Sequence, residues 1–79
     1  MENFDRYVIQ NIKDYIADNN LSVSKIAVEA GISYHRLWCI LTKSYSIKLS
    51  DYIAICKACM EPLDKFLPKS SVYFPEKSV

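Results

Sequence analysis

Apolar side chains near the start of the chain recur at the spacing of one helix face. Between residues 4 and 16 they fall every three or four positions, which predicts an amphipathic helix. The polar run at 18–20 ends it, because asparagine tolerates the left-handed backbone that closes many helices. The apolar positions of this helix are Phe4, Tyr7, Val8, Ile12, Tyr15 and Ile16.

Two short helices are predicted next, on either side of Gly31, the only glycine in the chain. Ser22 and Ser33 each precede an apolar pattern and are good N-caps, because a serine oxygen accepts a hydrogen bond from a backbone N–H of the first turn. The third helix spans about residues 33–42. The buried positions are Val23, Ile26, Ala27 and Ala30 in the second helix, and Leu37, Ile40 and Leu41 in the third.

A fourth and a fifth helix follow a polar loop at 42–46. Pro62 fits the first turn of the fifth helix, where its missing N–H costs nothing, and Pro68 ends that helix. The tail at 68–79 is predicted to be flexible or to form a dimer arm through its apolar cluster at 72–74. The apolar positions are Leu49, Tyr52, Ile53, Cys56, Cys59 and Met60 in the fourth helix, and Leu63, Phe66 and Leu67 in the fifth.

Length and composition fit one small all-α domain, at residues 1–67, followed by the tail. The chain has 79 residues, of which 51% are hydrophobic and 24% charged, as in ordinary globular proteins. One glycine and three prolines are too few to punctuate hairpins or a barrel. A domain of this size buries a modest share of its surface, so dimerisation would add stability.

The charges nearly cancel, with ten Lys plus Arg against nine Asp plus Glu. This balance excludes binding to polyanions through bulk charge alone, although a local basic face remains open. The chain begins without the pattern of a signal peptide, and no apolar run approaches the roughly 18 residues of a membrane span. We therefore expect a cytoplasmic protein without membrane attachment, whose three cysteines are free thiols.

Residues 22–41 meet the packing requirements of a helix-turn-helix. Its two helices cross at close range, so the first must carry a small residue at the crossing, and the turn needs a residue that tolerates a positive φ. A plug must then fill the space between the helices. The positions that satisfy these requirements are Ala27 at the crossing, Gly31 in the turn, Ile32 as the plug, and Ile26, Leu37 and Ile40 pointing inward.

The segment LSVSKIAVEAGISYHRL at 21–37 resembles the phage-repressor and Cro-type (XRE-like) helix-turn-helix family. Residues 49–59 and 62–67 are similar to the fourth and fifth helices of that family, so the resemblance covers about residues 4–67. It implies a compact five-helix, lambda-repressor-like domain that lays its third helix in the DNA major groove. It further implies a sequence-specific transcriptional regulator of the repressor type. Such a protein binds double-stranded DNA as a homodimer, because one small DNA-binding domain contacts too few base pairs for useful specificity.

The same resemblance implies the contact residues. Tyr34, His35, Arg36 and Cys39 would occupy the base-reading positions of the third helix. Arg36 has the fork that matches a guanine edge or a phosphate, whereas Cys39 adds only apolar contact. The implied phosphate contacts are Ser22, Ser33, Thr42, Lys43, Ser44 and Lys48.

Three positions depart from the family pattern. Val23 stands where a phosphate-binding Gln is usual, Trp38 where a small or polar residue is usual, and Lys43 where Gly is common. Val23, Trp38 and the near-neutral charge favour a second hypothesis, a helix-turn-helix fold that binds a protein, as an antirepressor or antitoxin-like partner does. Partial burial of Trp38 against a neighbouring helix and a role as interface anchor both remain open.

A zinc site and a catalytic site are the remaining alternatives. Cys56 and Cys59, with His35 and Cys39, offer the donor types of a tetrahedral zinc site. The helical pattern turns the first pair toward the core and the second pair away from it, so the two pairs should not converge. His35 as a general base has no nucleophile and orienting carboxylate beside it. We expect no metal, no cofactor and no enzymatic activity.

Overall fold

Four α-helices form the protein in a computed structural model that describes residues 3–43 and 47–67. They are α1 (Asn3–Asp18), α2 (Val23–Ala30), α3 (Tyr34–Thr42) and α4 (Leu49–Cys59). These ranges contain no strand, so the predicted all-α class is confirmed. No helix within them is long and apolar enough to cross a bilayer. The predicted tail at 68–79 lies outside the described residues.

The fifth helix predicted for residues 62–67 does not form, and the expected five-helix architecture is therefore wrong. These residues belong to a succession of turns, residues 61–67, which we call the turn segment. The Lys65 N–H donates to the Pro62 carbonyl at 3.0 Å, and the Leu67 N–H donates to the Asp64 carbonyl at 3.3 Å. A piece this short gains little from helical hydrogen bonds of its own, because helix nucleation is unfavourable.

Side chains from the other helices hold the turn segment in place. Asn11 Nδ2 in α1 donates to the Phe66 carbonyl at 2.9 Å. The Tyr52 hydroxyl in α4 donates to the Leu63 carbonyl and accepts from the Phe66 N–H. These side chains from α1 and α4 satisfy backbone groups of the turn segment that a helix would pair within itself. The turn conformation is favoured for this reason.

The core is built from one face of each helix and from the turn segment. The inner faces predicted for α2 and α3 are confirmed at Ile26, Ala27, Leu37, Ile40 and Leu41, whereas the predicted positions Val23 and Ala30 are only half-buried. On the face predicted for α1, Val8, Ile12 and Ile16 are buried and Tyr15 is half-buried, whereas Phe4 and Tyr7 are exposed. The fully packed core consists of Val8, Ile9, Ile12, Ile16, Ile26, Ala27, Leu37, Ile40, Leu41, Tyr52, Ile55, Cys56 and Phe66.

The apolar pattern of the predicted fourth helix is not buried at its two ends. Leu49 and Met60 belong to that pattern, yet they are 73% and 90% exposed. The residues that α4 buries are Asp51, Tyr52, Ile55 and Cys56. Because apolar side chains surround most of this helix, its periodicity does not define one face.

The turn between α2 and α3 has the conformation that the sequence predicts. Gly31 adopts a left-handed φ of 73°, and its N–H bonds to carbonyls in the last turn of α2. The Ile32 N–H then donates to the Ala27 carbonyl at 3.0 Å. Ala27 is almost fully buried, and Ile32 packs against the core. The direction of α3 is thereby fixed within three residues of the end of α2.

Replacing Gly31 with alanine should lower the free energy of unfolding by about 1 kcal/mol, because a Cβ disfavours the left-handed conformation. The added Cβ would meet nothing within 4 Å, so backbone strain is the only expected cost. Gly31→Asn is the matched control and should lose less, since asparagine tolerates this conformation. Urea denaturation of the three proteins measures the difference, and an equal loss in both variants would contradict the explanation.

Candidate nucleic-acid interface

Two serines begin α2 and α3 with the capping geometry that the sequence predicts. Ser22 Oγ accepts from the Lys25 N–H at 3.3 Å, and Ser33 Oγ accepts from the Arg36 N–H at 3.1 Å. Both serines are exposed. Each hydroxyl keeps its proton to donate, and the other N–H groups of each first turn have no partner within their own helix. These two helix starts are suited to receive an anion.

One face of α3 is exposed along its length. Tyr34 and Trp38 are one turn apart on this face, with 50% and 40% of their surface exposed, and His35 lies beside them. The opposite face carries Leu37 and Ile40, which are completely buried or nearly so. The helix therefore has a fixed inner face and presents two aromatic rings and an imidazole outward.

Cys39 does not share this exposed face. Its side chain is only 6% exposed, and its Sγ lies 3.5 Å from Nε2 of His35. The outward orientation predicted for Cys39 is wrong, because a small apolar side chain at the border of a buried helix face is easily covered. His35 remains exposed.

Arg36 is joined to α4 by an ion pair that the sequence pattern did not indicate. Its Nη2 lies 2.7 Å from Oδ2 of Asp51 in the first turn of α4. The Arg36 side chain is 45% exposed, whereas that of Asp51 is 11% exposed. The hydrogen bond to Asp51, followed by its charge, raises the pKa of Arg36. The guanidinium thus sits at the edge of the α3 surface with one side held and the other open.

The end of α3 carries a second cation. Lys43 Nζ lies 5.7 Å from the centre of the Trp38 ring, within range of a cation–π interaction. Thr42 Oγ1 donates to the Trp38 carbonyl at 2.7 Å, and its side chain is exposed. Lys48 is exposed immediately before α4. The predicted phosphate contact Ser44 lies outside the described residues.

A groove of about 420 Å³ runs beside the exposed face of α3. The end of α1 and the start of α2 form its other walls. Leu21, Val23, Tyr34 and Trp38 supply much of its apolar lining. Trp38 is therefore partly covered, as one of its two interpretations expects, and 40% of its surface stays exposed.

The remaining two cysteines lie on α4. Cys56 is fully buried and Cys59 is half-buried on α4, and burial raises the pKa of both thiols. The raised pKa makes each thiol less readily ionised than an exposed thiol, and the thiolate is the form that attacks electrophiles and binds metals. Over residues 3–43 and 47–67, no group of three or more His, Cys, Asp or Glu side chains could hold a metal ion.

The described residues form one continuous candidate surface. Two short helices joined by a tight turn hold an exposed helix face that mixes aromatic, imidazole and guanidinium groups. Comparisons of the chain with protein-family models, curated proteins and solved structures gave no match.

Proposed function

We propose that this protein is a sequence-specific DNA-binding regulator of the repressor type, acting in the cytoplasm. Its α2, turn and α3 would serve as a helix-turn-helix whose α3 enters the major groove. The observation that carries the proposal is that α3 buries one of its faces in the core and exposes the opposite face. Tyr34, His35 and Arg36 on this helix have groups that donate to or accept from base edges.

The phosphate contacts of this proposal come from helix starts and single cations. Ser22 and Ser33 offer N-terminal N–H groups, which bind phosphate without reading sequence. Thr42, Lys43 and Lys48 add a hydroxyl and two ammonium groups near the two ends of the loop after α3. Cys39 is left out of the proposed base contacts because its side chain is buried.

Binding as a homodimer is part of the proposal. A single α3 has nine residues and touches only a few base pairs, which gives little specificity in a genome. Two copies would place their α3 helices in successive major grooves, about 34 Å apart along the duplex. Repression would follow from occlusion of a promoter by the bound pair.

Selection of bound sequences from random duplex DNA tests the proposal directly. We expect a palindromic consensus with half-sites about one helical turn apart. Titration of that consensus at several salt concentrations should give a linear fall of log K with log salt, with a slope of about −0.9 per phosphate contact. No enrichment, or no binding at about 50 mM salt, would contradict DNA binding.

Exposed aromatic surface favours a second candidate function, binding of a protein partner through the same face. Trp38 and Tyr34 border the groove beside α3, and such rings are frequent anchors in protein interfaces. Because Trp38 is the only tryptophan, its fluorescence reports on this face without a label. A spectral shift on adding the selected DNA supports the regulator. A shift only on adding a candidate protein partner supports the alternative, and Trp38→Phe is the blank.

A further inference from the structure

From the ion pair between α3 and α4, we infer that Asp51 is a positioning residue that makes Arg36 specific for guanine. The inference rests on the proposed function, since it concerns how α3 reads DNA. Asp51 itself touches no base in this scheme. It acts by holding the Arg36 guanidinium in one orientation.

Asp51 is fixed more firmly than its partner. It lies in the first turn of α4 and is the one charged side chain buried within the described residues. The next residues of the same helix face, Ile55 and Cys56, are completely buried, and α4 packs against α2. The carboxylate therefore sits on a packed part of α4, and the 2.7 Å contact ties the end of the long Arg36 side chain to it.

The contact leaves Arg36 able to bind a second acceptor. A guanidinium has five N–H donors in one plane, and a single bond to Asp51 Oδ2 uses one of them. With 45% of its surface exposed, the Arg36 side chain has an open edge. A planar fork held in place loses less freedom on binding than a free arginine, so its geometry is selective.

The charge of the Arg36–Asp51 pair favours guanine over phosphate as the group that Arg36 binds. The Asp51 carboxylate compensates the charge of Arg36, and a phosphate approaching the pair would meet a second anion. The O6 and N7 atoms of guanine are neutral acceptors spaced for a bidentate arginine, so they lack this repulsion. The pair suits base reading better than backbone binding.

The Asp51→Asn variant tests the inference on the sequence that the wild-type protein selects. At the guanine position assigned to Arg36, the wild-type protein should prefer guanine over the other bases by about tenfold. In Asp51→Asn this preference should fall to about twofold. The salt slope should also steepen by about 0.9, because the released arginine can neutralise a phosphate.

Glu29→Gln is the matched control for net charge. Glu29 is exposed at the end of α2, so its loss changes the charge equally without releasing Arg36. This control should keep the tenfold preference. Arg36→Lys supplies an independent test, because it keeps the charge but lacks the planar fork and should lose the guanine preference. Far-UV circular dichroism verifies that each variant is folded.

The outcomes separate this inference from the function on which it rests. If wild-type protein binds no DNA, both are overturned. If it binds but Asp51→Asn keeps the full preference and salt slope, only the positioning role is overturned. Should Asp51→Asn fail to fold, Arg36→Lys still tests the inference. An unchanged guanine preference in Arg36→Lys would overturn it, because Arg36 would then not contact the guanine.

Discussion

Replacing Phe66 with alanine should lower the free energy of unfolding by about 3–5 kcal/mol. Phe66 is 1% exposed and is the anchor of the turn segment in the core. The rings of Tyr15 and Tyr52 meet it edge to face, with centroids 5.2 and 6.3 Å away. The variant would lose both ring contacts and leave a cavity between α1, α4 and the turn segment.

This loss is large beside the total stability of so small a domain, which is of order 4–12 kcal/mol for 79 residues. Urea denaturation followed by circular dichroism measures it. Leu63→Ala is the matched control in the same segment, because the Leu63 side chain is 54% exposed and only its backbone carbonyl bonds to Tyr52. It should cost under about 1 kcal/mol. Equal losses in the two variants would contradict the anchoring role of Phe66.

Stability should fall in alkaline solution, starting at about pH 9 and most steeply between about pH 10 and 12. The Tyr15 hydroxyl donates to Glu61 Oε2 at 2.7 Å, and this bond is the main reason why its pKa is raised to about 12. Burial raises the pKa of Tyr52 to about 12. Burial also raises the pKa of the thiols of Cys56 and Cys59.

The direction of the effect follows from proton linkage. Each of these acids has a higher pKa in the folded protein, so it keeps its proton in the folded state at a pH where the unfolded chain has lost it. The stabilisation is complete below the unfolded pKa, about 8.5 for a thiol and 10 for a phenol, and is lost as the pH rises through the folded value. The urea midpoint should therefore be level near pH 7–8 and fall most steeply between about pH 10 and 12.

Tyr52→Phe isolates one contribution to this alkaline loss. The variant removes a titrating group from the core, so its stability should fall less steeply between pH 10 and 12 even if it starts lower at pH 7. Tyr34→Phe, on the exposed face of α3, is the control and should follow the wild-type curve. A wild-type midpoint that stays level to pH 12 would contradict the assigned pKa values.

Local signals account for the parts of the fold that the sequence predicts well. Ser22, Gly31 and Ser33 mark the ends of α2 and α3 through their own backbone geometry, which needs no distant partner. The prediction of a fifth helix is wrong because residues 62–67 are held by contacts with distant parts of the chain. Asn11, for example, lies 55 residues from its partner Phe66, and helical periodicity does not reveal such a contact.

Only part of the candidate site could be predicted from the sequence. The exposure of Tyr34 and His35 follows from helix spacing, whereas the burial of Cys39 depends on how neighbouring parts cover a border position. Asp51 had no distinguishing pattern, since an acidic residue in the first turn of a helix is common for reasons of helix polarity. Its pairing with Arg36 arises only when α3 and α4 are brought together.

The contacts of Phe66 also bear on how the protein is made. Asn11 and Tyr15 near the start of the chain reach their partners only when the turn segment arrives, and those partners are among the last of the described residues to be synthesised. A nascent chain on the ribosome therefore carries α1 to α4 with an open gap between α1 and α4 until Phe66 leaves the exit tunnel. Closure of the core around Phe66 therefore comes after all of α1 to α4 have been synthesised.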